Sequence, residues 1–283
     1  MLVRAAMAQA TKAEARWALV TGASSGLGAE FARQLAGRGY DVVLVARRRD
    51  RLEKLAGELM SHGRGTIVLG QDLASAGAVT SLLQELDARG IAPELLVNNA
   101  GVGMYGWALD HSAARVEALL RVNVLALTEL ALALGLRMAE RGSGDIINVS
   151  STASLQPDPW LAVYGASKAY VTSFSMALAE EVGRRGVRVL TLCPGLTDTE
   201  FNQAAGVRAA HDARWMYMSA AECVAVALRA LDRKRRFAIA GWMNRIAAFA
   251  ARHAPLTWVT RANGWLMAPG RRPALPEGEG PSA

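Results

Sequence analysis

Residues 17–39, WALVTGASSGLGAEFARQLAGRG, decide the fold. An apolar run of strand length, WALVT, enters a turn with glycines at 22, 26 and 28, and apolar residues at helical spacing follow. Glycine lets another backbone approach closely, and the amides that open the helix present partial positive charge to an anion such as a pyrophosphate. The competing reading is a glycine turn that serves tight packing alone. Placement directly after the first strand favours the anion site, with TGxxxGxG spacing in place of GxGxxG.

The same alternation continues outward from this unit. DVVLVA precedes DRLEKLAGELM, TIVLGQ precedes AVTSLLQELDARG, and ELLVNN, DIINVS, VRVLTLC and RRFAIA extend the series to seven strands. Long helices are predicted over about 112–141, 163–184 and 219–231. Strands alternating with helices imply an α/β fold, a doubly wound parallel sheet in a single domain. Such strands are covered on both faces, which accounts for nearly unbroken Val, Leu and Ile. Ligands in these sheets sit beyond the carboxyl ends of the strands, so the residues there carry the functional information.

Composition narrows the alternatives. Of 283 residues 52% are hydrophobic and 20% charged, enough for a large core. Two cysteines, Cys193 and Cys223, fit a reducing cytoplasm better than a disulfide framework. The net charge of +7 is spread along the chain, and its tightest clusters, RRRDR at 47–51 and RKRR at 233–236, lack an aromatic-rich or zinc-bearing context. Nucleic acid is therefore not an expected partner. The longest near-apolar run, 122–136, is short for a membrane span and contains Asn123, Thr128 and Glu129. Residues 1–15 read as a loose or helical arm, 16–241 as the dinucleotide-binding and catalytic domain, and 242–283 as an amphipathic extension with a Pro/Gly-rich end.

The strand ends assemble a dinucleotide site. Gly22, Ser24, Ser25, Gly26, Leu27 and Gly28 form the first turn. The second strand ends at Val45-Ala46-Arg47-Arg48, where an acid would suit the ribose hydroxyls of NAD. Arg47, with Arg48 and Ser24, instead offers donors matched to a 2′-phosphate, favouring NADP(H) over NAD(H). Asp72 and Leu73 are placed to hold adenine, although Asp72 also suits a helix cap. Asn99, Ala100 and Gly101 follow the fourth strand, where a ribose would lie.

TGASSGLG, QDL, NNAG, Asn123, Ser151, YGASK and PGLTDT, in this order, resemble the short-chain dehydrogenase/reductase family over residues 16 to about 241. The resemblance implies a Rossmann-type fold and a homodimer or homotetramer. It also implies that Tyr164 acts as general acid in carbonyl reduction and as base in alcohol oxidation. Ser151 is then expected to hydrogen-bond the substrate oxygen, with its neighbour Ser150 the weaker candidate. Lys168 would bind the nicotinamide ribose, and Asn123 would hold a helix irregularity and a water linked to Lys168. A satisfied core amide is the competing reading of Asn123. Pro194, Gly195, Thr197 and Thr199 would surround the carboxamide.

The spacing of Tyr164 and Lys168 has its own physical reading. Residues four apart share a helix face, and an ammonium about 4 Å from a phenol at an effective dielectric of about 20 favours phenolate by about 4 kcal/mol. That corresponds to roughly three pKa units before desolvation opposes it. The chain has four lysines against 28 arginines, and a compact ammonium at 168 suits this role better than a planar guanidinium. The four histidines show no metal-ligand spacing, and hydride transfer needs no metal. Cys193 reads as a small buried residue.

Tyr105, Trp107, Leu155, Trp160 and the segment from Leu196 through Phe201 to Trp215, Met216 and Tyr217 are candidate substrate walls. Their apolar character favours a hydrophobic ketone or aldehyde, interconverted with its alcohol, over a small charged acid. In the extension, Trp242, Ile246 and Phe249 recur at helical spacing before Trp258 and Trp265, with Arg245, Arg252 and Arg261 between them. Packing on the chain itself is the first expectation for this stripe, and covering the substrate cleft is one alternative. Contact with a partner subunit or weak contact with a membrane surface are the others. A non-catalytic NADP-sensing regulator is the rival from another class, and it would have little use for Ser151, Tyr164 and Lys168 together.

Overall fold

Strands buried on both faces need apolar side chains at successive positions, a demand that the inner runs predicted from the sequence largely meet, while TIVLG and FAI are half-buried. The computed structural model describes residues 16–197, 200–201 and 217–268. The strands are β1 (Trp17–Thr21), β2 (Asp41–Ala46), β3 (Thr66–Gly70), β4 (Leu95–Asn98), β5 (Gly144–Val149), β6 (Val187–Cys193) and β7 (Phe237–Ile239). They form one parallel sheet in the order β3-β2-β1-β4-β5-β6-β7. The order reverses between β1 and β4. Such a reversal leaves a crevice at the carboxyl edge, because the following connections leave in opposite directions.

Eight helices are described: α1 (Gly26–Gly37), α2 (Arg49–Ser61), α3 (Ala78–Ala88), α4 (Ala113–Arg141), α5 (Ala162–Gly183), α6 (Ala220–Asp232), α7 (Trp242–His253) and α8 (Leu256–Met267). Alternation along each strand divides the core in two. Val20, Val42 and Leu44 face Phe31 and Leu35 of α1, Leu52 of α2 and Leu228 of α6. Leu19, Val43 and Ile146 face Leu82 of α3, Leu130 and Leu134 of α4 and Leu178 of α5. A one-residue slip of any strand would exchange these two sets, so the double core fixes the register.

Local signals set the helix ends. Ser112 accepts from the Arg115 amide to start α4, and Gly142 at φ +75° ends it. Ser219 and Glu222 cap each other at the start of α6. By length and composition α4 is long and apolar enough to cross a membrane, further than the run read from the sequence suggested. Half of its most apolar window is buried, with Leu127, Leu130 and Met138 in the core under the sheet.

Packing of the extension departs from the first expectation. Trp242, Phe249 and Trp258 are 70%, 69% and 68% exposed, so α7 and α8 do not bury their apolar stripe on this chain. Other residues of α8 instead reach the carboxyl edge of the sheet.

Candidate active site

Glycines build the first part of the site. Gly22 and Gly26 have φ of +67° and +55°, a region where a Cβ clashes with the following carbonyl. A Cβ on Gly28 would lie 2.1 Å from the Gly22 carbonyl oxygen and 2.6 Å from Asn99 Nδ2. The turn therefore closes on itself while the first amides of α1 face the crevice. Ser25 caps α1 in an extended conformation, followed by Gly26 and Leu27.

Asn99 braces this turn. Its Nδ2 donates to the carbonyls of Thr21 and Gly22 at 3.0 and 3.3 Å, and Thr21 Oγ1 accepts from the amides of Asn99 and Ala100 at 3.0 Å each. The sequence placed Asn99 beside a ribose. In the structure its side chain is committed to tying β1 to β4 across the crevice. Thr21, which the sequence reading did not single out, supplies the other half of that tie.

At the end of β2, Arg48 turns back over the glycine turn. Its Nη2 donates to Ser24 Oγ and Ser25 Oγ at 3.1 and 2.8 Å, and Nε reaches Ser24 Oγ at 3.3 Å. Arg48, Ser24 and Ser25 are thus drawn together, and Arg47 stays open to solvent next to them. After β3, Asp72 Oδ1 accepts from the Ala74 amide at 3.0 Å, and Leu73 is buried. This is a turn bond and not a helix cap, since α3 starts only at Ala78 with Gly77 as its cap.

The reactive groups meet at the ends of β5 and α5. Tyr164 is 8% exposed and Lys168 3%, both on the inner face of α5. Lys168 Nζ lies 5.9 Å from the centre of the Tyr164 ring and donates to the Val149 carbonyl at 2.9 Å. Burial pushes the phenol up to about 12 despite the opposing Ser151 hydrogen bond, and burial brings the ammonium down to about 8. The lowered phenol pKa anticipated from the helix spacing is not what the site shows. At neutral pH the phenol carries its proton and the amine its charge, the state needed to donate a proton.

Ser151 and Ser150 differ in their partners. Ser150 Oγ is occupied by the Lys168 carbonyl and by Thr172 Oγ1 at 2.9 and 2.7 Å, whereas Ser151 Oγ accepts from the Ala153 amide at 3.1 Å and is hydrogen-bonded to the Tyr164 phenol. Asn123 lies in a π-helical turn, Arg121–Ala126, inside α4, where the sequence reading expected an irregularity. It is wholly buried: Oδ1 accepts from the Val102 amide at 2.8 Å, and Nδ2 donates to the Val102 carbonyl and Ser167 Oγ at 3.0 Å each. A Cβ on Gly101 would touch both Asn123 Oδ1 and Lys168 Nζ at 3.4 Å. Asn123, Gly101 and Lys168 are thus neighbours.

After β6, Pro194 accepts from the Thr152 amide at 2.9 Å, and Thr197 Oγ1 donates to the Gly195 carbonyl at 3.1 Å. Asn244 of α7 rests on Gly195, 2.0 Å from where a Cβ would stand. Thr199, Trp215 and Met216 lie outside the described residues. Cys193 is buried and its thiol is pushed up by burial, in line with a packing role.

The substrate side is an apolar cluster of Met104, Leu161 and Tyr164 with Tyr105, Phe201 and Met267 packed on it. The Phe201 ring centre lies 5.6 Å from that of Tyr164. Trp107 is largely exposed and Leu155 half-buried, neither belonging to this cluster. Helix α8 closes its outer edge: Trp160 Nε1 donates to the Gly264 carbonyl at 3.0 Å, and Tyr105 Oη to the Met267 carbonyl at 2.5 Å. Asp158 accepts from Asn263 Nδ2 at 2.9 Å, and burial raises its carboxyl to about 6. No local pattern announces this contact, because its partners lie 105 residues apart.

Comparison with known proteins agrees with this arrangement. Residues 16–209 match the family described as short chain dehydrogenase. Sulfoacetaldehyde reductase 2 of Chromohalobacter salexigens is 38% identical over 200 residues, covering 69% of this chain and 79% of that protein. Mycobacterium tuberculosis relatives described as probable oxidoreductases are 35% identical over 67% of this chain, which spans only 32% of their length. Among solved structures, a short-chain dehydrogenase from Sphingobium yanoikuyae in complex with NADPH aligns with a TM-score of 0.75 and 32% identity, over 92% of this chain and 99% of that one. The bulky-bulky ketone specific alcohol dehydrogenase from Comamonas testosteroni gives 0.71 and 30%, over 92% and 96%.

Proposed function

The chain belongs to the short-chain dehydrogenase family, and from that premise we propose that it is an NADP(H)-dependent oxidoreductase reducing a bulky, hydrophobic ketone or aldehyde to its alcohol, and reversibly oxidising it. The observation that carries this reading is the meeting of Ser151, Tyr164 and Lys168 beside a glycine cradle that has no room for side chains. The cradle's close backbone approach and the Arg48, Ser24 and Ser25 donors fit a phosphorylated dinucleotide. When bound, that cofactor supplies the hydride.

The chain's own residues do the rest. Ser151 Oγ offers a hydrogen bond to the substrate oxygen as it gains negative charge. Tyr164, its phenol pushed up to about 12 by burial, holds a proton at neutral pH and gives it to that oxygen in reduction; the phenolate takes it back in oxidation. Lys168, charged below about 8, favours the phenolate left behind and can also bind a ribose hydroxyl. Asn123 keeps the π turn and the Val102 backbone in place around the ammonium, and a proton relay through it completes the proposal. Leu73, Ala100, Gly101, Pro194 and Thr197 line the remaining cofactor path.

Substrate class follows from the wall. Its described members include Met104, Leu161 and Tyr164, with Tyr105, Phe201 and Met267 packed on them, all apolar or aromatic. This favours the chemistry named for the Comamonas enzyme over that named for the Chromohalobacter one. Leu125, Leu132 and Leu136 of α4 and Tyr170 and Met176 of α5 are exposed and suit a homodimer contact. The aromatic stripe of α7 and α8, flanked by Arg245, Arg252 and Arg261, suits weak contact with a membrane surface.

The test is NADPH oxidation across a panel of bulky and small charged carbonyls, repeated with NADH and with Tyr164→Phe. Undiminished reduction by the phenylalanine variant overturns the acid, and equal use of NADH overturns the phosphate site.

A further inference from the structure

Glu200, which follows β6, lies across the crevice against the end of β2. Its Oε2 meets Arg48 Nη1 at 2.9 Å and Arg51 Nη1 at 2.7 Å, and its Oε1 meets Arg51 Nη1 at 2.7 Å. The same Arg48 holds Ser24 and Ser25 through its remaining nitrogens. One carboxylate therefore sits in a nest of two guanidiniums and, beyond them, two hydroxyls. Arg48, Ser24 and Ser25 are the donors assigned above to a 2′-phosphate, Arg51 stands beside them, and this inference rests on that assignment.

We propose that Glu200 is an internal competitor of the adenosine 2′-phosphate: it holds Arg48 and Arg51 in the free protein and yields them to NADP(H) but not to NAD(H). A phosphate brings a charge of about −2 and three acceptor oxygens, against one charge and two oxygens for the carboxylate, so it is the stronger acceptor for the same forks. An unphosphorylated ribose brings neutral hydroxyls, which do not displace a carboxylate from arginine. All three side chains are about half exposed, so each link is weak enough to exchange. The two arginines hold the Glu200 carboxyl below its ordinary range, so it is ionised at neutral pH. The competitor also sits next in the chain to Phe201, whose ring covers Tyr164.

Calorimetric titration with 2′,5′-ADP and with 5′-AMP tests this without turnover. Glu200→Gln is expected to bind 2′,5′-ADP about fivefold tighter than wild type, the scale of two exposed ion pairs, with 5′-AMP unchanged within about twofold. Raising salt should shrink that difference. Because Glu200 is half exposed, the variant should melt with wild type, which a thermal scan checks. If wild type prefers 2′,5′-ADP but Glu200→Gln binds it equally or more weakly, the competitor is wrong and the phosphate site stands. If wild type binds both nucleotides equally and Arg48→Ala changes neither, the phosphate site is wrong and the competitor falls with it.

Discussion

Adding one methyl group at Gly28 should dismantle the cradle. In Gly28→Ala the Cβ would stand 2.1 Å from the Gly22 carbonyl oxygen, where ordinary contact begins at 3.4 Å, and 2.6 Å from Asn99 Nδ2. The first neighbour is backbone in a turn already fixed at φ +67°, and the second is bonded to both Thr21 and Gly22, so neither can swing aside. Over-packing of a well-filled site costs about 1–3 kcal/mol, and the rigidity of both neighbours puts this case at the upper end, about 3 kcal/mol. For a chain of this size that lowers the melting temperature by about 5 °C. The turn must also open, so NADPH affinity should fall at least about tenfold. Gly37→Ala is the control: nothing lies within 4 Å of its Cβ at the end of the same helix. It should be neutral or stabilising by up to about 1 kcal/mol. Differential scanning calorimetry and fluorescence titration with NADPH read both quantities. A Gly28→Ala protein that melts within about 1 °C of wild type and binds NADPH equally would refute the interlocked turn.

Three further outcomes follow from the site. Tyr164→Phe should reduce ketone turnover about 10²–10⁴-fold while the Kd for NADPH stays within about twofold, measured by stopped-flow and titration. The pH profile of reduction at saturating NADPH should be flat to about pH 8 and fall above it, as Lys168 loses its charge while Tyr164, at about 12, keeps its proton; a midpoint near 6 would instead point to Asp158. Asp158 is raised from 3.8 to about 6 by burial, so the unfolded chain releases this proton first and the group costs stability increasingly as pH rises through 4–6. Asp158→Asn keeps an acceptor for Gln156 and Asn263 and should therefore raise the melting temperature at pH 8 more than at pH 4, by thermal scan.

Strand content, sheet polarity and the glycine turn were legible because each is local: apolar runs, φ-permissive residues and helix spacing lie within a few positions of one another. Ser151, Tyr164, Lys168 and Asn123 were legible as motifs, and the irregular turn around Asn123 matches the expectation. Distances set the limit. Asn99 turned out to brace Thr21 and Gly22 from 77 or more positions away, and Glu200 reaches Arg48 across 152. Spacing brings Lys168 near Tyr164, but burial, which a sequence pattern does not measure, drives both pKa values the other way. Arg47 and Arg48 are adjacent and chemically identical, so only the backbone direction at the end of β2 could choose between them.

Helix α8 is fastened to the cleft in part through its own main chain, since Trp160 and Tyr105 both donate to peptide carbonyls beside the Asn263–Asp158 side-chain bond. A fastening of that kind recognises a helical shape and is indifferent to most side chains displayed on it. Substitutions along the tail can then reshape the cleft mouth, one side chain at a time, while the hydride-transfer apparatus beneath stays untouched. Divergence in what is admitted should accumulate there first, well away from the sheet.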